Sequence, residues 1–145
     1  MNLPLQHLQD LKWSKLKLIE ITQDPILPDV AINKVRKDDY GCVVTFVGMV
    51  RNTASSGKKA LFLENEASAE ELARQELQRI AGEIKAKWQL EDIAICHRMG
   101  RLKVGEITLV VAIAAPHRRE AFEACQYTLD RFKQVVPAWE KEVIG

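Results

Sequence analysis

Glu106-Ile107-Thr108-Leu109-Val110-Val111-Ala112-Ile113-Ala114-Ala115 runs without a break into Pro116-His117-Arg118-Arg119-Glu120-Ala121-Phe122-Glu123-Ala124-Cys125, and the change of pattern at Pro116 decides the fold. The first half is a short apolar, β-branched run of strand type, whereas the second adopts helical spacing. Phe122, Cys125, Leu129, Phe132 and Val136 follow one another at intervals of 3, 4, 3 and 4, which predicts an amphipathic helix with those residues as its core stripe. Upstream, residues 42–50 form the most apolar segment, bounded by Gly41 and a polar loop, and read as a central strand buried on both faces. Gly48 inside it marks a bulge or a close approach by another group. Residues 53–59 are a small-residue loop expected to be mobile, and residues 60–66 are expected to return as the partner strand.

Ser68-Ala69-Glu70-Glu71 fits a capping box, and the helix it opens carries Ala73, Leu77, Ile80, Ile84 and Trp88 on one face. Residues 92–98 make a further strand, joined through 99–105 to the one quoted first. Nearer the start, residues 15–22 alternate charged and apolar side chains as a half-buried strand does, and residues 30–37 suit a short helix. Residues 1–14 are leucine-rich and read as an N-terminal arm, either a small amphipathic helix or a disordered one. The order is then β, β, β, α, β, β, α, an α+β domain over residues 15–145 with helices against one face of a mainly antiparallel sheet.

Composition narrows the function by exclusion. With 21 Lys and Arg against 20 Asp and Glu, the net charge of +1 offers no global attraction for nucleic acid or an anionic membrane. An anion site must therefore be a local concentration of charge. The three cysteines, Cys42, Cys96 and Cys125, lie far apart in apolar runs and read as buried, reduced thiols. No C-x-x-C, histidine cluster, P-loop or dinucleotide fingerprint occurs, so neither a metal nor a cofactor is expected. The first residues lack the charge pattern of a signal peptide, and no apolar run approaches the ~20 residues that span a bilayer, so a soluble, cytoplasmic protein is expected.

Two features of the last helix stand out. Pro116-His117-Arg118-Arg119 places three basic residues at a helix start, where backbone N–H groups and the helix dipole favour anions. A phosphate site and a solvated turn, with Arg119 paired to Glu123, are both compatible with this. On the helical wheel Lys133 falls about 20° from Phe122, at the edge of the expected stripe. It is either a partly desolvated lysine of lowered pKa or a snorkelling surface lysine. Arg118 and Lys133 lie about 22 Å apart along one helix, so a small ligand touching both needs two protomers. His97-Arg98 sits at a strand end, near the same mouth or purely structural.

Gly41-x-Val43-Val44-Thr45-Phe46-x-Gly48-x-Val50-Arg51-Asn52, His97-Arg98-x-Gly100, Pro116-His117-Arg118, Ala121-Phe122-x-Ala124 and Lys133-x-x-x-Pro137-x-Trp139 together resemble the large, catalytic subunit of molybdopterin synthase. The resemblance covers about residue 16 to 142. It implies an α/β-hammerhead fold and a central homodimer carrying a small ubiquitin-like sulfur-carrier subunit at each end, a heterotetramer. The small subunit's Gly-Gly tail, thiocarboxylated at its C-terminus, delivers sulfur to cyclic pyranopterin monophosphate, giving the dithiolene of molybdopterin. This chain ends Val143-Ile144-Gly145 and so resembles the acceptor of the tail, not its donor.

By the same resemblance Arg51, His117 and Arg118 line the pterin-phosphate pocket, the last two from the opposite protomer. Lys133 is the main catalytic lysine, and Lys141, one place after the position of the family's second lysine, is taken as its substitute. The implied substrate-binding set is Met49, Val50, Arg51, His117, Arg118, Lys133, Glu140, Lys141 and Glu142. Two departures matter. Glu140 stands where the family carries a functional lysine, and Glu64-Asn65-Glu66-Ala67-Ser68 replaces a stretch that usually holds two tyrosines. A sulfur-transferring subunit and a homologue that only binds the small subunit are therefore both open, beside a small-ligand regulatory domain of another class.

Overall fold

The computed structural model describes residues 18–145, apart from the side chain of Ala67. The arm expected at 1–14, and the first residues of the strand expected at 15–22, lie outside that range. Ten elements follow: β1 (Ile19–Thr22), α1 (Pro28–Val35), β2 (Cys42–Met49), β3 (Ala60–Asn65), α2 (Glu70–Trp88), β4 (Ile93–Arg98), β5 (Gly100–Lys103), β6 (Ile107–Ala115), α3 (Arg118–Val135) and β7 (Glu140–Ile144). Short 3-10 turns at Ala67–Ala69 and Val136–Ala138 lead into α2 and out of α3.

The strands form two sheets where the sequence suggested one. The larger runs β1-β4-β6-β2, with β1 parallel to β4 and the other pairs antiparallel; the smaller runs β5-β3-β7 and is antiparallel throughout. Alternation along β4 and β6 explains how the larger sheet is covered. Ile93, Ile95, Val111 and Ile113 face α2 and α3, while Ala94, Cys96, Val110, Ala112 and Ala114 face α1. Helices thus lie on both faces, not one, and the central strands are β4 and β6.

β2 lies at the sheet edge, a correction to its expected central place. All its residues but one are half-buried, and Met49 is 63% exposed. Its composition misled because an apolar β-branched run looks the same at an edge as at a centre. The expected irregularity at Gly48 is present, since the register with β6 shifts between Gly48 and Met49. A side chain there would press on the Phe46 ring at 3.0 Å. β3 does not return to β2; it pairs with β5 and β7, and the chain between β2 and β3 closes on itself through the Thr53–Lys59 bridge.

Two helix readings also change. α2 begins at Glu70 with no side-chain cap, and Arg74 takes up both Glu70 and Glu71 at 2.9 Å, leaving no capping box with Ser68. Its buried face is nevertheless Ala73, Leu77, Ile80 and Ile84, as the spacing required. α3 buries Ala121, Ala124, Cys125, Thr128 and Phe132, whereas Phe122 is 59% exposed. Small residues let this helix lie close on the sheet, so a stripe drawn through the large apolar residues was rotated. On the wheel Phe122 and Lys133 lie about 100° and 120° from the centre of the true face.

Candidate active site at the two ends of helix α3

α3 follows β6 directly. Its start is set by His117, whose extended backbone (φ −130°, ψ 145°) turns the chain into the helix. Gly41 crosses close beneath this junction: its N–H donates to Ala115 O at 3.1 Å, and a Cβ there would collide with the Pro116 carbonyl. A shallow cleft of about 380 Å3 results, lined by Gly41, Cys42, Pro116, His117, Arg118 and Arg119. All three basic side chains are exposed. Arg119 pairs with Glu123 at 3.1 Å, whereas among the described residues His117 and Arg118 make no ion pair. The Arg118 guanidinium, with the His117 imidazole beside it at a helix N-terminus, remains for an anion.

The far end of α3 is held from several sides. Arg131 grips both oxygens of Glu83 on α2 at 2.8 and 3.2 Å, and the Tyr127 hydroxyl donates to the same carboxylate at 2.7 Å. Arg131 first and Tyr127 second hold the Glu83 carboxyl below its ordinary range. Phe132 turns inward, meeting the His97 ring edge-on with centroids 5.1 Å apart. Lys133, the next residue, points to solvent and is exposed in the single chain. Of the two readings of this residue, the single chain shows the surface lysine.

His97 is wholly buried, and burial pushes its pKa down to about 4. The indole N–H of Trp139 donates to its Nε2 at 3.0 Å, and its Nδ1 lies 3.0 Å from the Thr108 carbonyl. Arg98 faces the other way and ties the strand end, reaching Gln23 O and the Glu106 carboxylate. His97-Arg98 is therefore structural here, not part of a mouth.

After Trp139 the chain becomes β7, whose Glu140, Lys141 and Glu142 face Asn65, Glu64 and Leu63 of β3 in register. A pocket of about 440 Å3 opens there, lined by Glu64, Asn65, Glu66, Pro137, Ala138, Trp139, Glu140 and Lys141. Oε1 of Glu140 and Oδ1 of Asn65 are buried with no hydrogen-bond partner among the described residues. Burial, and after it the neighbouring Glu142 carboxylate, push the Glu140 carboxyl up to about 7. Glu142 itself accepts from the Ser55 N–H and hydroxyl, the latter at 2.6 Å, and so ties the 53–59 loop to β7.

The expected site residues thus fall into separate groups. Lys141, Glu140 and Glu142 come together on β7, while His117 and Arg118 stand at the opposite end of α3. Met49, the last residue of β2, and Arg51 just beyond it are exposed, but Val50 packs inward with Leu63 and Leu102 and its backbone is bonded to Glu106 and Gly105. Lys133 does not line the β7 pocket. The sequence reading missed Trp139 as the partner of His97; the signal available was a pair of polar aromatic residues in otherwise apolar surroundings. No group of three or more His, Cys, Asp or Glu side chains placed to hold a metal ion occurs among the described residues.

Comparison with known proteins gives a consistent picture. Residues 21–135 match the family described as MoaE protein. The molybdopterin synthase catalytic subunit of Bacillus subtilis (strain 168) is 43% identical over 128 residues, covering 88% of this chain and 80% of that protein. The crystal structure of molybdopterin synthase from Staphylococcus aureus superposes with a TM-score of 0.79 at 35% identity, covering 90% of this chain and 93% of that one. At 18% identity, a complex of subunits 1 and 2 of molybdopterin-converting factor from Helicobacter pylori 26695 shares the fold, with a TM-score of 0.70 over 88% of this chain and 86% of that one. The two-sheet α+β architecture and the sequence identity across nearly the whole chain lead to one conclusion: this chain belongs to the MoaE family of molybdopterin synthase catalytic subunits.

Proposed function

We propose that this chain is the catalytic subunit of a molybdopterin synthase, acting in the cytoplasm as the homodimeric core of a heterotetramer. It accepts the thiocarboxylated Gly-Gly tail of a small ubiquitin-like subunit and passes the sulfur to cyclic pyranopterin monophosphate. In each transfer the thiocarboxylate sulfur bonds to a substrate carbon as a C–O bond at that carbon breaks, the oxygen leaving as water or, where the phosphate ring opens, with the phosphate, and this gives a thioester with the tail. Water then splits the acyl–sulfur bond, leaving sulfur on the substrate and a carboxylate on the tail. Two tails supply the two sulfurs of the dithiolene. The observation that carries this reading, beyond family membership, is the division of cations between the ends of α3. His117 and Arg118 stand open at one end and Lys133 at the other, about 22 Å apart, too far for one small substrate to meet both in one chain. A second copy supplies the missing half, and the half-buried apolar edge of β2 is a surface suited to self-association.

In this reading Arg51, His117 and Arg118 hold the substrate phosphate, and Lys133, aided by Lys141, stabilises the charge that develops at the tail and moves the proton. Met49, the Val50 backbone, Glu140 and Glu142 border the same space. No helix among the described residues is long and apolar enough to cross a membrane. Glu140 favours a second reading, a homologue that binds the small subunit without turnover, because it puts a half-buried acid where the resemblance implies a lysine. Incubation with thiocarboxylated small subunit and cyclic pyranopterin monophosphate decides between them: dithiolene product supports transfer, and a stable complex without product supports the binding module.

A further inference from the structure

We propose that His97 is a positioning residue for sulfur transfer, the buried post that sets both the Lys133 end of α3 and the Glu140–Lys141 end of β7. This rests on the function proposed above. An indole N–H can only donate, so the Trp139 bond at 3.0 Å requires an unprotonated Nε2 on His97. The ring proton then sits on Nδ1, where Thr108 O accepts it at 3.0 Å. His97 is wholly buried and Trp139 nearly so, and water has no access to replace either bond. The low pKa of His97 keeps the acceptor lone pair available throughout the physiological range.

The same ring is the packing floor for Phe132, whose centroid lies 5.1 Å away, and it tilts against Trp139 at 6.0 Å. One residue beyond Phe132 is Lys133, and one beyond Trp139 is Glu140. A single imidazole, anchored through Thr108 to the next strand, thus fixes the rotation of the last turn of α3 and the entry of the chain into β7. The stretch between them, 133–139, is the end of α3 and a 3-10 turn with Pro137, closed by the Val136 N–H on Phe132 O and the Trp139 N–H on Val136 O. Losing the post lets the lysine and the β7 groups drift relative to each other, and shifts of about 1 Å cost on the order of a hundredfold in rate.

The experiment uses the reconstituted complex of full-length chain and thiocarboxylated small subunit, in single turnovers well below the melting temperature. Trp139→Phe, which keeps an aromatic ring and deletes the donor, and His97→Phe should each lower the transfer rate at saturating pyranopterin about ten- to a hundredfold. KM for the pyranopterin, whose phosphate is held at the other end of α3, should stay within about twofold. The double variant should be no slower than the worse single, because the two remove one interaction. His97→Gln, which can offer both an acceptor and a donor, should recover most of the rate. Folded variants with wild-type rates, or a loss that vanishes once each variant is assayed equally far below its melting temperature, would overturn the inference. If the wild type makes no product, the proposed function fails and amide hydrogen exchange decides the positioning role. Exchange over residues 135–142 must accelerate in His97→Phe and Trp139→Phe while β4 and β6 stay protected; unchanged exchange there overturns it.

Discussion

The two ends of α3 belong to one helix and are built in opposite ways. At the start, exposed cations project from a tight strand-to-helix junction, and the geometry comes from backbone: Gly41 against Pro116 and the extended His117. At the finish, the exposed Lys133 depends on a buried frame of side chains, Phe132, His97 and Trp139 with Glu83 and Arg131 outside it. An anion can be caught by cations on a rigid backbone corner without any buried support. A group that must meet a reacting atom needs its neighbours locked, because rate falls with misplacement much faster than binding does. In the proposed function this contrast corresponds to binding at one end and chemistry at the other.

That assignment breaks most visibly at Lys133. Lys133→Ala removes an exposed side chain and should leave the melting temperature nearly unchanged. Its transfer rate at saturating substrate should nevertheless fall about a thousandfold, within the range general acid–base and electrostatic catalysis supplies. A loss confined to a raised KM would move Lys133 to the binding end. Arg118→Ala comes next: KM for the pyranopterin should rise about tenfold or more, with the rate at saturation little changed and the effect shrinking at high salt. Mixing Lys133→Ala and Arg118→Ala chains tests whether the ends serve one site across a dimer. After subunit exchange about half the dimers are mixed and each keeps one intact site, so with pyranopterin well below KM, where both parents are nearly inactive, about a quarter of wild-type activity should return. No recovery after verified exchange would put both residues in one protomer's site.

How legible each end was in the sequence follows from the same contrast. The start was readable, because a strand pattern ending at Pro116 followed by three basic residues is a local signal. Features carried by a single residue or by helical spacing were also legible, such as the irregularity at Gly48 and the buried face of α2. The finish was not, because its frame is tertiary. His97 and Trp139 are 42 residues apart, and nothing local announces that an indole will donate to that imidazole. The face of α3 was misjudged for a physical reason, since Ala121, Ala124 and Thr128 are buried for their small size while Phe122 is left outside. β5 and β7 were missed because short strands rich in charge lack the apolar alternation that marks a strand. The smaller sheet, and with it the pocket containing Glu140, was invisible until those strands paired.

Glu140 gives the smallest effect and the sharpest view of the chemical end. Its carboxyl is raised from the usual 4.5 to about 7, mainly by burial, so the folded protein holds the neutral acid more tightly than the unfolded chain does. The sign follows: this contribution to stability is complete below about pH 4.5 and is lost as pH rises through 7. Glu140→Gln keeps the shape without the ionisation. It should therefore match wild type in denaturant melts near pH 4.5 and exceed it at pH 8 by about 1–3 kcal/mol, after allowance for partial exposure. His97 acts in the reverse sense in both proteins: lowered to about 4, it contributes stability above pH 6.5 that is lost as pH falls through 4. Only the alkaline limb should differ between the two. A Gln variant with the wild-type pH profile would mean that the β7 pocket is wetter than its orphaned oxygens imply. In that case a lysine, or a donor on the incoming tail, could pair with the ionised acid there at little cost.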